Sequence, residues 1–201
     1  MQQPAPSLWD DLEATLAEVW RCLGAGASTR RSAFHHPTIA TMGPDGAPRL
    51  RTMILRGVEP EIRRLRFHTD IRAAKANDVA ANGSVAVHIY DPGMKLQVRM
   101  TGLATISHGD ATARMAWQNA QPMSKACYGT RPAPGTPIET GDGFSLPASH
   151  SPELAEGETN FAVLRMTIET METLYLAHGG HRRAAFGWEG AALVRKDWLA
   201  P

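Results

Sequence analysis

Three short stretches hold the side chains whose types and spacing could do chemistry. Arg51-Thr52-Met53-Ile54-Leu55-Arg56 is an apolar run bracketed by two guanidiniums, and Phe67-His68-Thr69-Asp70 is followed closely by Arg72 and Lys75. Lys95-Leu96-Gln97-Val98-Arg99-Met100 alternates, so a strand there puts Lys95, Gln97 and Arg99 on one face and Leu96, Val98 and Met100 on the other. An arginine can grip two oxygens of an anion at once, a lysine supplies a mobile point charge, and a glutamine amide offers both a donor and an acceptor. This is chemistry for holding a ligand against a sheet. No residue in the three stretches stands out as a general base.

The elements that must position these groups follow from periodicity and turn residues. Ser7, with Asp10 three residues on, reads as a helix N-cap. Leu8, Leu12, Leu16, Val19 and Leu23 then recur at helical spacing until Gly24. Residues 24–31 read as a linker. A strand over 38–42 turns through Pro44-Asp45-Gly46 into a strand ending at Arg56, which makes a hairpin. A third strand over 65–69 leads into a helix over 73–82. A fourth covers 85–90, and Asp91-Pro92-Gly93 starts a long fifth over 94–107. Asp110 caps a helix reaching Asn119. Residues 121–160, rich in Pro, Gly, Ser and Thr, read as a long loop of the kind that lies over a site or an interface, with a turn or two of helix near 124–128. Four more strands follow, over 161–169, 173–178, 182–188 and 191–199. Around eight strands, few helices and no alternation of strand with helix point to a mainly β (α+β) fold, an antiparallel barrel, as one domain over 1–201.

Composition narrows the ligands. The 201 residues carry 21 basic and 20 acidic side chains, a net charge of +1, so no global field draws nucleic acid or an anionic membrane. With 43% hydrophobic residues the chain can bury a core without disulfides. Cys22 and Cys127 have neither metal nor redox spacing and are expected to be ordinary thiols. No signal-like N-terminus and no apolar run near the ~18 residues of a membrane span is evident, so a cytoplasmic protein is expected. His178 and His181, and the adjacent His35 and His36, lack an acidic or Cys partner at ligand spacing, and no metal site is expected. Arg63, Arg64 and Arg66 read as a charged, solvated sheet edge. Trp117 and Met115 read as core or interface.

The ordered set Arg-x-Met-Ile-Leu-Arg, then Phe-His-Thr-Asp with Lys75 beyond it, then Lys-x-Gln-Val-Arg before Gly102 resembles the pyridoxamine 5'-phosphate oxidase-like family of FMN-binding split barrels. The likeness covers roughly residues 35–119, with a second match at His181-Arg182-Arg183 and the closing Trp198-Leu199-Ala200-Pro201. It implies a split barrel that binds FMN, an FMN-dependent oxidoreductase acting on a small molecule, and a homodimer whose interface forms part of the flavin site. It assigns the flavin phosphate to Arg51 and Lys75, with His68 and Thr69 at the strand end beside them. Met53 and Ile54 fall where the backbone runs along the flavin ring, and Gln97 where an amide bonds its edge. Arg56 and Arg182 become candidates beside the substrate.

The chain also departs from that family. A Ser-Arg-Lys opening of the short helix reads Ala73-Ala74-Lys75 here, with Arg72 a partial replacement for the lost cation. The family's long-loop amide and hydroxyl fall on Ala126 and Cys127, an Arg falls on Ala185, and a flavin-stacking Trp on Tyr175 or Leu176. The helix positions that grip a substrate phosphate hold Met115, Asn119 and Met123, so an efficient pyridoxamine 5'-phosphate oxidase is not expected. Arg51 and Arg56, five residues apart, face opposite ways on a regular strand; either a bulge intervenes or they serve different sites. Met94, Leu96, Val98 and Met100 are expected to supply dimer surface. The alternatives are a non-catalytic flavin- or haem-binding module on the same barrel, and a degenerate barrel without a cofactor.

Overall fold

The structure is a computed structural model that describes residues 8–148 and 152–201. Ser7, the expected cap, lies outside them. Helix α1 runs Leu12–Ser28 and is capped by Asp11, whose carboxylate accepts from the Ala14 amide at 2.8 Å. It passes through Gly24 and Gly26, so the expected linker is mostly helix. Gly26 is where the helix lies against Phe34: a Cβ there would stand 2.6 Å from the Phe34 Cβ. His35 seals the contact by donating from Nδ1 to the Gly26 carbonyl at 2.6 Å.

The strands are β1 (Thr38–Met42), β2 (Pro48–Thr52), β3 (Leu55–Glu59), β4 (Arg64–Asp70), β5 (Ser84–Asp91), β6 (Leu96–His108), β7 (Phe161–Tyr175), β8 (Arg182–Glu189) and β9 (Ala192–Leu199). Helix α2 is Ala74–Ala81, α3 is Ala111–Gln118, α4 is Pro122–Ala126 and α5 is Glu156–Asn160. All strand pairs are antiparallel, in the order β2-β1-β5-β6-β7-β4-β3, with β8 on β7 and β9 on β8. This is a split barrel whose sheet is not closed by a ladder between β2 and β3. Strand β7 pairs with β6 along its length, with β4 over its first half and with β8 over its second.

Two expected strands therefore differ. The run ending at Arg56 divides into β2 and β3 at Met53-Ile54, and the runs over 161–169 and 173–178 fuse into β7. At the junction in β7 the register against β6 slips by one residue, between Thr101 and Gly102. Gly102 is required there, because a Cβ would lie 2.0 Å from the Thr167 carbonyl oxygen.

Leu55, Leu65, Phe67, Leu96, Val98, Met100, Leu164, Met166 and Phe186 are almost fully buried together. Burying each such side chain stabilises the fold by about 1.5–3 kcal/mol. Leu96, Val98 and Met100 thus belong to the core rather than to a dimer surface, and Met94 packs against it. A smaller cluster of Ala116, Trp117, Phe161 and Val163 fastens α3 to β7. The expected edge at Arg63, Arg64 and Arg66 is not one, since β4 lies between β3 and β7. Arg63 caps the preceding turn, donating from Nε to the Ile168 carbonyl at 3.1 Å with its guanidinium over Trp188.

Candidate functional site

The break at Met53-Ile54 creates the site. A regular strand would send Arg51 and Arg56 to opposite faces. The chain instead leaves the ladder for two residues, and a register slip between Leu55 and Gly57 makes Arg56 a bulge residue. Both arginines then line one cleft of about 520 Å³, together with Met53, Ile54, His68, Ala73, Ala74 and Lys75. Tyr128, Pro134 and Gly135 bring the long loop in as its outer wall.

One end of the cleft gathers two cations, Arg51 and Lys75. Arg51 donates from Nη1 to Thr41 Oγ1 at 2.7 Å, and its Nη2 is 3.5 Å from Asp78 Oδ2. Asp78, only 2% exposed, also accepts from Thr41 Oγ1 at 2.8 Å and from Arg49 Nη1 at 3.2 Å. This buried carboxylate, reached from the inner side of α2, fixes the Arg51 side chain. Lys75 forms no ion pair among the described residues; burial first, then Arg51, pulls its pKa down. Burial also lowers that of Arg51, against the pull of Asp78. The two cations are thus half-buried near one another, an arrangement that an anion relieves. Ala73 caps α2 with no side-chain bond, and Ala73 and Ala74 line the cleft beside Lys75, so the start of a helix, which favours an anion, lies at this end.

The remaining site residues expected from the sequence are placed elsewhere. Thr69 is buried, its hydroxyl donating to the Asp70 carbonyl at 3.4 Å. Arg72 is held by Asp70 at 2.6 and 2.9 Å and donates to the Tyr128 carbonyl at 3.2 Å, so it braces the loop wall instead of lining the cleft. Gln97 stands on the outer face of β6, opposite Tyr90. Arg182 is paired with Asp10, Nε to Oδ1 at 2.5 Å, and Tyr175 stacks on Trp9 with centroids 5.1 Å apart. None of these reaches the cleft within one chain. His68 is pushed down to about 4 by burial, then by Arg56 and Arg66, so its imidazole is neutral at pH 7. Burial raises Tyr128 to about 12.

Sequence reasoning missed Asp78 and Arg66. No spacing marked Asp78, since one acid on a short helix reads as solvated. Arg66 did carry a signal: the alternation Arg64-Leu65-Arg66-Phe67-His68 puts it on the same face as His68, which was already assigned to the site.

Comparisons with known proteins agree with the fold. Residues 17–108 match the family described as pyridoxamine 5'-phosphate oxidase, FMN-binding domain. A pyridoxine/pyridoxamine 5'-phosphate oxidase of Roseobacter denitrificans is 30% identical over 100 residues, 48% of this chain and 46% of that protein. One of Pseudomonas paraeruginosa is 35% identical over 65 residues, 32% of this chain and 29% of that protein. The chain spans less than half the length of the curated relatives it matches. A pyridoxamine 5'-phosphate oxidase-related FMN-binding protein of Nostoc punctiforme superposes with a TM-score of 0.73 at 24% identity, over 92% of this chain and 96% of that one. PhzG of Burkholderia lata does so with a TM-score of 0.71 at 17% identity, over 99% and 98%. These two structures establish the fold. Residues 17–108 thus resemble an FMN-binding domain of the pyridoxamine 5'-phosphate oxidase type, a likeness that covers just under half of the chain.

Proposed function

We propose that this protein is an FMN-dependent oxidoreductase acting on a small molecule, cytoplasmic and working as a homodimer. The observation that supports it most is the cleft that gathers Arg51, Lys75 and the start of α2 beside Met53-Ile54. Arg51, held by Asp78, and Lys75 bind the flavin phosphate, and Met53-Ile54 with His68 line the ring. FMN supplies hydride acceptance and return when bound. The protein's part is to orient it, exclude water and set the charge beside it. Of the cleft's ionisable groups, His68 is too acidic and Tyr128 too basic to exchange a proton near pH 7. The reading therefore takes a substrate that arrives already deprotonated.

Gln97 can serve the flavin only if a second copy brings it there. It lies on the same outer sheet face as Leu50, Tyr90 and Leu103, which are 66%, 46% and 52% exposed. That face is the surface a partner copy would cover, linking association to cofactor binding.

The purified protein should carry the absorption spectrum of FMN, and Arg51→Met with Lys75→Met should weaken FMN binding at least ~100-fold, two charge-assisted hydrogen bonds being removed. Full FMN affinity in that double variant would overturn the assignment. Sedimentation at micromolar concentration should show a dimer that releases flavin on dilution, and a yellow monomer would exclude the shared site. A flavin that binds but is never reduced by any amine, alcohol or ring substrate would assign the chain to the non-catalytic alternative.

A further inference from the structure

A second cleft, of about 440 Å³, opens between the outer face of β3–β4 and helix α3. Arg56 and His68 line both clefts, so the two meet there. Arg66 lines the second alone. Its guanidinium lies over Gly57, its partner across the β3–β4 ladder: a Cβ on Gly57 would sit 2.8 Å from both Nε and Nη2. Nη2 donates to the Arg56 carbonyl at 3.4 Å, while Nε is buried and has no acceptor. On the other side Arg66 is paired in register with Arg165 of β7, whose Nε is buried without an acceptor as well.

Among the described residues, neither Arg56, Arg66 nor Arg165 forms an ion pair, whereas Arg49, Arg51 and Arg72 each have a carboxylate. Like charges set directly across a ladder are destabilising, and a buried donor without an acceptor costs more. Among the described residues the one carboxylate that feels them is Asp110, whose charge Arg165 favours from beyond ion-pair distance. The rest of the wall is Ala27, Ala111, Met115 and Ala116, with Asn119 and Gln121 at its margin and Thr112 the one hydroxyl.

We propose that this second cleft is a carboxylate subsite, in which Arg56 and Arg66 grip the carboxylate of an otherwise apolar, ring-bearing small molecule that extends past His68 toward the first cleft. The direction of that ligand rests on the reading of the first cleft as the flavin site; the grip itself rests on the two arginines. The planar fork of a guanidinium matches a carboxylate edge to edge. A phosphate dianion stripped of water needs further charged donors, and beyond the two arginines this wall offers only neutral ones, at Thr112, Asn119 and Gln121. His68, neutral beside the two guanidiniums, adds a hydrogen-bonding ring without a third charge.

Titration calorimetry of the flavin-loaded protein with 2-naphthoate, 2-naphthamide and inorganic phosphate tests this. Naphthoate should bind at least tenfold more tightly than either of the others. Arg66→Met should weaken it about tenfold or more, the loss of one charge-assisted hydrogen bond, and leave FMN affinity within twofold. Gly57→Ala, which displaces the guanidinium while keeping the charge, should weaken naphthoate similarly and decides the matter if Arg66→Met does not fold. Naphthoate binding unchanged in these variants, absent at millimolar concentration, or weaker than that of phosphate would overturn the proposal. If the protein holds no flavin, Arg66-dependent binding of naphthoate to the flavin-free protein sustains the subsite and sinks only the flavin reading.

Discussion

The guanidiniums of Arg51 and Arg66 flank the same break in the β2–β3 connection, yet their surroundings oppose each other. Arg51 is met inside the protein by Asp78 and Thr41, with Arg49 sharing the carboxylate. Arg66 faces Arg165 across the ladder, Arg56 beside it, and has no carboxylate among the described residues. The first is a cation fixed by the fold, so that a ligand meets a positioned group. The second is a cation whose counter-charge the described chain does not provide. An ion pair within a site trades binding strength for preorganisation; an unpaired cluster does the reverse and weakens the empty fold.

Opposite signs in stability would sharpen this contrast. Asp78→Ala should destabilise the protein by about 2–4 kcal/mol in urea unfolding, because it strands Arg51, although the partial exposure of both arginines moderates the loss. Arg66→Met should be neutral or stabilising by up to about 1 kcal/mol in the ligand-free protein, since it relieves a like-charge pair. Equal destabilisation by the two variants would break the comparison.

Acid comes next in expected size. His68 takes a proton at 6.5 when unfolded and only at about 4 when folded. Between those values the unfolded chain binds more protons, so stability falls as pH drops from 6.5 to 4 and levels off below. The loss attributable to this residue is about 3 kcal/mol. Comparing urea midpoints of the parent and His68→Asn across that window isolates it. In Arg66→Met, with one of the opposing charges gone, the His68 proton seen by NMR should titrate at higher pH; no movement would remove Arg66 from the electrostatics of the second cleft.

The smallest effect on the fold belongs to Lys75→Met. Burial already disfavours its charge, so unfolding of the flavin-free protein should change by less than about 0.5 kcal/mol. FMN affinity, followed by flavin fluorescence, should nevertheless fall at least ~tenfold. A large loss of stability instead would make Lys75 structural.

Much of the sheet was legible because alternation and turn residues agree along it. β1 and the Asp110 cap of α3 fall where the sequence puts them, and Leu96, Val98 and Met100 point inward as their spacing requires. What misled were places where a strand changes partner without changing composition. Met53 and Ile54 favour strands yet leave the ladder. Glu169-Thr170 look like a strand's end, although there β7 passes from β4 to β8. The site was legible as far as local order carries it: Arg51, Met53, Ile54, Arg56, His68 and Lys75 come together. Gln97 and Arg182 were named by resemblance, and nothing local to them says to which side of a sheet, or to which copy, they turn.

The three-way pairing of β7 bears on when the protein can become itself. In the sheet order, β3 and β4 connect to β2, β1, β5 and β6 only through β7. A nascent chain therefore carries two unjoined blocks until residues 161–175 are synthesised, and long-range closures of that kind are slow. Arg51 belongs to one block, Arg66 and His68 to the other. The last third of the chain contributes few cleft residues, yet it is the seam whose arrival turns scattered side chains into a cavity.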